Sequence, residues 1–104
     1  MKLLTVDIQE KAEKQYDLGS DLNQKVVAKF FNPVGSWTWY LMNKDPDSSY
    51  CWGIVNGDAV EMGSFDIEEL ANIELQWGLG IERDMSFTPK NAKDIWDKLI
   101  KERG

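Results

Sequence analysis

The chain has 104 residues, a formal net charge of −6 and no histidine. Two independent cores would each be too small to fold, so we predict one domain over residues 1–104. The lone Cys51 excludes an internal disulfide and is typical of a reducing cytoplasm. No stretch approaches the roughly 20 apolar residues of a membrane span, and no apolar run near the N-terminus resembles a secretory signal. We therefore expect a cytoplasmic protein without membrane contact.

The charge is unevenly distributed along the chain. Residues 45–89 hold ten acidic residues against Arg83 alone, a net −9, whereas residues 1–44 and 90–104 carry net charges of +1 and +2. A protein that binds double-stranded nucleic acid needs a basic face, so this distribution argues against that class. An acidic block most often serves as a solvated surface. The alternative is a surface that meets a partner protein with a basic surface.

The first half of the chain predicts a helix and two strands. Apolar side chains recur every four residues over 5–17, which predicts a helix with Thr5 as its N-cap. The β-branched and aromatic residues of 25–31 predict a first strand. A second strand over 36–42 places two sets of side chains on opposite faces: Trp37, Trp39 and Leu41, and Thr38, Tyr40 and Met42. Because both faces are mostly apolar, we expect this strand to be central and covered on each side.

The second half predicts a hairpin, a short helix and a closing helix. Asn56-Gly57 predicts a type I′ turn between strands over 50–55 and 58–64, because Asn and Gly tolerate positive φ. Asp66 and Glu69 form a capping-box pattern that predicts a short helix. The closing helix is predicted to have Thr88 as its cap and Pro89 at its first position. A fifth strand over 81–87 would place Ile81, Arg83, Met85 and Phe87 on one face. The predicted fold class is α+β, an antiparallel meander of about four to five strands with N- and C-terminal helices packed on it.

Catalytic chemistry has little support in the sequence. The absence of histidine removes the commonest general base and, with only one cysteine, a tetrahedral zinc site. No nearby cation is predicted to activate Cys51, so we expect a buried structural thiol. No phosphate-binding or calcium-binding loop is present. We predict no catalytic residues, metal or cofactor, and an enzyme is the least favoured of the classes that stay open.

Arg83 is the most informative charged residue, since its predicted strand phase places it beside apolar side chains. A structural contact with an acid such as Asp66, or with backbone carbonyls, is one interpretation. The other is a guanidinium that recognises an anion.

The aromatic residues divide into expected core and expected surface. Core packing is favoured for most of Trp37, Trp39, Tyr50 and Trp52, whereas Tyr40 and Trp77 are predicted to be more exposed. The candidate binding residues are Trp39, Tyr40, Glu61, Glu68, Glu69, Trp77, Arg83 and Asp84.

Several motifs together resemble a known family. They are Val27-Ala28-Lys29-Phe30-Phe31-Asn32-Pro33 followed by Trp37-Thr38-Trp39-Tyr40, Gly63-Ser64-Phe65 leading into Glu69-Leu70, and Leu79-Gly80-Ile81-Glu82-Arg83-Asp84. This combination resembles the bacterial domain-of-unknown-function family 2958 (DUF2958). The resemblance implies a small protein encoded on a mobile genetic element, such as a plasmid or phage, near replication, transfer or antirestriction functions. It supplies no catalytic residues.

Two functions are favoured over an enzyme. The first is a non-enzymatic binding protein of a mobile element, whose acidic surface and aromatic anchors engage or inhibit a nucleic-acid-processing protein of the host or element. The second is a module that binds a small ligand, a nucleotide or a single-stranded nucleic acid by stacking on Trp39, Tyr40 or Trp77 and by pairing with Arg83. The oligomeric state is left open by the sequence.

Overall fold

A computed structural model describes residues 2–103 and shows an α+β fold, as the sequence predicts. Its elements, in chain order, are α1 (Val6–Lys14), β1 (Lys25–Val26), β2 (Ala28–Phe31), β3 (Thr38–Lys44), β4 (Tyr50–Asn56), β5 (Val60–Asp66), α2 (Ile67–Ala71), β6 (Glu82–Arg83), β7 (Lys90–Asn91) and α3 (Ala92–Arg103). Short 3₁₀ turns occur at Tyr16–Leu18 and Gln76–Gly78. Within residues 2–103, no helix has the length and apolar character that a membrane span requires.

The main sheet has five antiparallel strands in the order β5-β4-β3-β2-β6. Strands β2 to β5 follow one another as a meander, and β6 is added at the outer edge of β2. Strands β1 and β7 form a separate two-stranded ladder, in which Val26 pairs with Lys90. The predicted central position of β3 is confirmed.

Each face of β3 belongs to a different hydrophobic cluster. Trp39 and Leu41 pack with residues of α1 and α2 on one face, including Ala12 and Leu70. Tyr40 and Met42 pack on the other face against α3, which contributes Ala92, Ile95 and Leu99. The predicted alternation and the predicted cover on both faces are therefore confirmed for Trp39 to Met42, whereas Trp37 precedes β3 and is 40% exposed. Helices on both sides of the sheet account for the near-continuous apolar sequence of β3.

A β-bulge interrupts the pairing of β3 with β4. Leu41 pairs with Gly53 but Asn43 pairs with Trp52, so the register shifts around Met42. A bulge adds one residue to a strand and reorients the side chains that follow it. The strand also continues to Lys44 rather than ending at Met42 as predicted. Asn43 consequently lies opposite Trp52, on the face that packs against α3.

Two of the predicted helix caps form and one is wrong. The Thr5 side chain accepts a hydrogen bond from Ile8 N at 3.1 Å, and Asp66 accepts from the backbone of α2. The closing helix begins at Ala92 rather than at Pro89. Its cap is Asn91, whose side chain accepts from Lys93 N at 2.9 Å. The prediction failed because Lys90–Asn91 pairs with β1, which keeps this segment extended.

The β4–β5 hairpin forms, but without the predicted type I′ turn. Asn56 pairs with Val60, and neither Asn56 nor Gly57 has positive φ. Gly57 instead lies against an aromatic ring: a Cβ at this position would be 2.6 Å from atoms of the Trp37 indole. The requirement for glycine is therefore close packing rather than backbone conformation.

The predicted fifth strand is much shorter than expected. Only Glu82–Arg83 pairs with β2, and the chain then turns, with Asp84 Oδ1 accepting from Ser86 N at 2.9 Å. Ile81 packs in the cluster under α1, whereas Phe87 packs in the cluster under α3. The predicted common face of residues 81–87 is therefore wrong, because the turn carries the chain from one side of the sheet to the other.

Candidate functional site

Trp77 is the most exposed large apolar residue of the described chain, with 81% of its surface accessible. It lies in the loop of residues 72–80, which connects α2 to β6. Leu75 N donates to Leu79 O at 2.7 Å, and the Leu75 side chain packs against the core cluster under α1. The loop is therefore anchored at its base while the indole projects into solvent. The predicted exposure of Trp77 is confirmed.

The backbone of Trp77 lies in the left-handed region, with φ 60° and ψ 27°. Within residues 2–103, it is the only residue other than glycine with a positive φ. This conformation is unfavourable for a bulky side chain and persists only where the surrounding structure imposes it. Gly78, at φ 71°, continues the same turn. The loop thus holds an aromatic side chain outward at a conformational cost.

Acidic and apolar side chains surround Trp77 along the chain. Ile73 and Leu79 are 38% and 37% exposed. Residues 66–82 contain five acidic residues and no lysine or arginine. Among these acids, Glu68, Glu69 and Glu74 are exposed. We refer to six exposed residues of this stretch, Glu68, Glu69, Ile73, Glu74, Trp77 and Leu79, as the Trp77 segment.

Glu61, another candidate binding residue, is exposed but lies apart from the Trp77 segment. It is in β5, opposite Val55 of β4, five residues before Asp66 at the start of α2. Five residues of a strand extend about 17 Å. The predicted acidic surface is thus divided along the molecule, with Glu68 and Glu69 in α2, which directly precedes the Trp77 loop, and Glu61 toward the start of β5.

Trp39 and Tyr40 are both buried, at 9% and 8% exposure. The predicted exposure of Tyr40 is wrong, because α3 and the 84–91 segment cover its face of the sheet. Its ring packs edge to face on Phe87, with centroids 6.5 Å apart, and Lys29 Nζ lies 5.6 Å from its centroid. Neither ring offers an open face for stacking a base.

A groove of about 650 Å³ lies beside Tyr40, between β2, α3 and the 84–91 segment. Its charged residues are Lys25, Lys29, Asp84, Lys90, Asp94, Lys98 and Glu102. In the described part of the chain, Lys25, Lys29 and Lys90 form no salt bridge. This lysine groove has no local signal in the sequence, because residues far apart in the chain build it.

Arg83 holds the N-terminal segment against the edge of the sheet. Its Nη1 donates to Lys2 O at 2.9 Å and to Leu3 O at 2.8 Å. The predicted structural contact with backbone carbonyls is confirmed, while Asp66 lies on the opposite edge strand. Asp84 ends β6: its N donates to Lys29 O at 2.9 Å and its side chain bonds the following turn. Binding by Arg83 or Asp84 stays a prediction.

Cys51 is a buried structural thiol. Its side chain has no exposed surface and packs in the cluster under α1 and α2. Burial raises the pKa of this thiol to about 12, despite the opposing charge of Lys44. A nucleophilic cysteine needs a lowered pKa and access to substrate. The geometry at Cys51 therefore matches the predicted role in packing.

The motifs that carried the family resemblance lie in structurally important places. They form the paired strands β2 and β3, the β5–α2 junction, and the Arg83 contact with the N-terminal segment. No curated protein and no solved structure matches the chain. The family described as "Protein of unknown function (DUF2958)" matches residues 2–104. The chain therefore belongs to the DUF2958 family.

Proposed function

We propose that this protein is a non-enzymatic binding protein that engages a basic surface of a partner protein through the Trp77 segment. The observation that carries the proposal is Trp77, which is 81% exposed and held in a left-handed backbone conformation. Tryptophan is enriched among the residues that dominate binding at protein interfaces. An indole held outward in the free protein also needs little ordering when a partner binds.

The charge around Trp77 supports a basic partner. Glu68, Glu69 and Glu74 are exposed, and no lysine or arginine occurs in residues 66–82 to offset them. Complementary charge raises the rate of association and favours the correct partner over others. Ile73 and Leu79, which are also partly exposed, add apolar surface to the same loop. The combination fits a partner that presents an apolar pocket with a basic rim.

The absence of histidine and the burial of Cys51 support a binding role over catalysis. The setting on a mobile element, such as a phage or plasmid, is supported by the family resemblance alone. In that setting the partner would be a nucleic-acid-processing protein of the host or the element, since such proteins carry the basic clefts that an acidic protein can occupy.

Quantitative affinity capture from a bacterial lysate tests the proposal. We expect Trp77→Ala to abolish recovery of the partners that the unmodified protein captures. Met85→Ala is the matched control, since Met85 is also an exposed apolar residue, at 72%, and lies outside the Trp77 segment. Equal recovery with Trp77→Ala and with the unmodified protein would contradict the proposal.

The electrostatic part is tested separately by neutralising charge. The double variant Glu68→Gln/Glu69→Gln should weaken the captured complex by about tenfold and reduce its salt dependence. Glutamine is preferable to lysine here because a positive charge in the first turn of α2 would oppose the helix dipole. Glu61→Gln and Glu10→Gln are controls at other exposed acids. A larger loss with Glu61→Gln than with the double variant would place the contact elsewhere.

The lysine groove beside Tyr40 favours a second candidate function, the binding of a single-stranded nucleic acid or a nucleotide through its phosphates. Lys25, Lys29 and Lys90 line it without salt bridges in the described part of the chain. Fluorescence anisotropy with a labelled single-stranded oligothymidylate at low salt tests this function. Lys29→Gln/Lys90→Gln should weaken binding, and Lys93→Gln/Lys101→Gln is the control. No binding by the unmodified protein would exclude it.

A further inference from the structure

A second pocket, of about 360 Å³, lies at the end of the β3–β4 pair and away from Tyr40. Its lining residues are Tyr16, Gly19, Ser20, Asn43, Tyr50 and Trp52. Three of the six are aromatic, and none is a lysine or an arginine. Tyr50 is 43% exposed, so it forms part of the open rim, whereas Asn43 has no exposed surface.

The position of Asn43 is fixed by a buried network of amides. Asn43 Nδ2 donates to Gly19 O at 2.9 Å and to Gln24 Oε1 at 3.0 Å. A backbone carbonyl can only accept, so the amide nitrogen of Asn43 must face Gly19 and its oxygen must face away. The β-bulge at Met42 is what places Asn43 on this face of the sheet.

Asn43 Oδ1 is a buried acceptor without a hydrogen-bond partner in residues 2–103. The indole Nε1 of its strand partner, Trp52, is likewise buried and unpartnered in this part of the chain. Buried polar atoms in folded proteins are nearly always satisfied. Trp52 Nε1 is itself a donor, so the unpartnered acceptor of Asn43, which lines the pocket, is the atom that points to a donor group binding there.

The electrostatics of the rim favour a positive partner. The charge of Asp45 raises the pKa of Tyr16, followed by burial, by the charge of Tyr50 and by a hydrogen bond with Asp45. The charge of Asp17 acts in the same direction. Both carboxylates therefore make the potential at the Tyr16 hydroxyl negative. Aromatic faces attract cations through the ring quadrupole, and sites that combine rings with a carboxylate suit organic cations.

We propose that the pocket of Tyr16, Asn43, Tyr50 and Trp52 binds an organic cation, an alkylguanidinium or alkylammonium group. The rings contact the apolar and cationic parts, Asp45 supplies the counter-charge, and an N–H of the cation donates to Asn43 Oδ1. The cation is either a free small molecule or an Arg or Lys side chain of another protein. This site does not include Trp77 and does not depend on the function proposed for the Trp77 segment.

Nuclear magnetic resonance of the ¹⁵N-labelled protein tests the proposal with Nα-acetylarginine methylamide as the probe. We expect saturable shifts of the Trp52 indole N–H and the Asn43 side-chain amide signals, which Trp52→Phe and Asn43→Asp identify by loss. The matched control is Nα-acetylcitrulline methylamide, which has nearly the same shape but no charge. Absence of shifts with the arginine probe, or equal shifts with the citrulline probe, would overturn the proposal.

Two variants measure separately how the Asp45 charge and the aromatic ring of Tyr50 contribute to binding of the arginine probe. Asp45→Asn retains the acceptor that bonds Asp47 N at 2.8 Å but removes the charge, and it should weaken binding of the arginine probe roughly three- to fivefold. Tyr50→Ala should weaken it at least as much, whereas Tyr50→Phe should not. Full affinity in both Asp45→Asn and Tyr50→Ala would overturn the proposal, and Trp77→Ala should leave the affinity unchanged.

The source of the cation is distinguished by two further probes. A pentapeptide with a central arginine that binds at least tenfold more tightly than the capped residue would identify a protein side chain as the ligand. Equal affinity of the peptide, the capped residue and n-butylamine would identify a free small cation. Both outcomes support an organic-cation site, and failure of all three probes to bind contradicts it.

Discussion

Strand β3 and the Trp77 loop are both rich in aromatic and apolar residues, yet they lie in opposite environments. Trp39 of β3 is 9% exposed, whereas Trp77 is 81% exposed. Strand β3 has hydrogen-bonded neighbours on both sides and helices on both faces. The loop of residues 72–80 is held by a few backbone contacts and by the packing of Leu75.

Residue type alone therefore does not separate core from surface in this chain. A tryptophan is buried where the sheet supplies two covered faces, and it is exposed where a short loop leaves the sheet and returns to it. Burial of Trp39 stabilises the fold, whereas the Trp77 side chain is exposed in both the native and the unfolded state and contributes little, and its left-handed backbone costs stability. Mutations that remove the two rings should therefore differ strongly in their effect on the free energy of unfolding.

The largest effect is expected at Gly53, which pairs with Leu41 at the centre of the sheet. A Cβ at Gly53 would lie 2.0 Å from Tyr40 O, so Gly53→Ala forces apart the backbones of β3 and β4. We expect a loss of at least about 4 kcal/mol in the free energy of unfolding, measured by denaturant titration.

The matched control is Gly63→Ala, in the strand partner of Gly53. A Cβ at Gly63 would meet no atom within 4 Å, so the free energy of unfolding should change by less than about 1 kcal/mol. Similar losses of unfolding free energy for Gly53→Ala and Gly63→Ala would contradict the prediction, since they would show that the close approach of Gly53 to Tyr40 O does not require glycine.

The second largest effect is expected at Trp39, and the same substitution at Trp77 is its comparison. Trp39→Ala removes a buried ring and leaves a cavity, so it should lower the free energy of unfolding by about 3 kcal/mol. Trp77→Ala removes an exposed ring and should change it by less than about 0.5 kcal/mol. Thermal or denaturant unfolding of the two variants measures both values. A loss above about 2 kcal/mol for Trp77→Ala would mean that the indole packs on the protein rather than projecting from it.

The sequence predicted the parts of the fold that depend on local patterns. Thr5 and Asp66 cap their helices because the cap is set by the residues that follow it. The alternation along β3 placed Trp39 and Tyr40 on opposite faces, as observed. The start of α3 could not be predicted locally, because the pairing of Lys90–Asn91 with β1 joins segments about 65 residues apart.

The candidate site was predicted only in part. The turn-rich sequence around Trp77 indicated its exposure, but the burial of Tyr40 depends on the packing of α3 and was missed. The pocket at Asn43 could not be foreseen, because the alternation of an unbulged strand places Asn43 on the opposite face from Trp52. One extra residue in a strand, which leaves no clear mark in the sequence, decides that placement.

The third effect is a pH-dependent loss of stability caused by Cys51, which is buried between the sheet and the helices α1 and α2. Because the pKa of Cys51 is raised from 9.0 to about 12, the unfolded chain loses its thiol proton at a lower pH than the native protein does. The contribution of the neutral Cys51 thiol to the free energy of unfolding is therefore fully present below about pH 9, and it is lost as the pH rises through about 12. From about pH 9 to about pH 11, the free energy of unfolding should fall by about 2 kcal/mol more in the unmodified protein than in Cys51→Ala.

The control for that measurement places a thiol in the exposed loop. Leu79→Cys in the Cys51→Ala background gives a thiol that titrates alike in the native and unfolded states, so the additional alkaline loss should be absent. The same alkaline slope in the unmodified protein and in Cys51→Ala would show that Cys51 is not the group responsible.

The smallest effect tests whether the loop stores strain at Trp77. A non-glycine residue in the left-handed region costs about 1 kcal/mol or more, and glycine removes this cost at some expense in unfolded-state entropy. Trp77→Gly should therefore be more stable than Trp77→Ala by about 0.5–1 kcal/mol, since alanine retains the Cβ. Both variants lack the indole, so their difference in unfolding free energy isolates the backbone. Equal stability would mean that the loop relaxes out of the left-handed conformation once the ring is gone, and that the indole itself maintains the backbone at φ 60°.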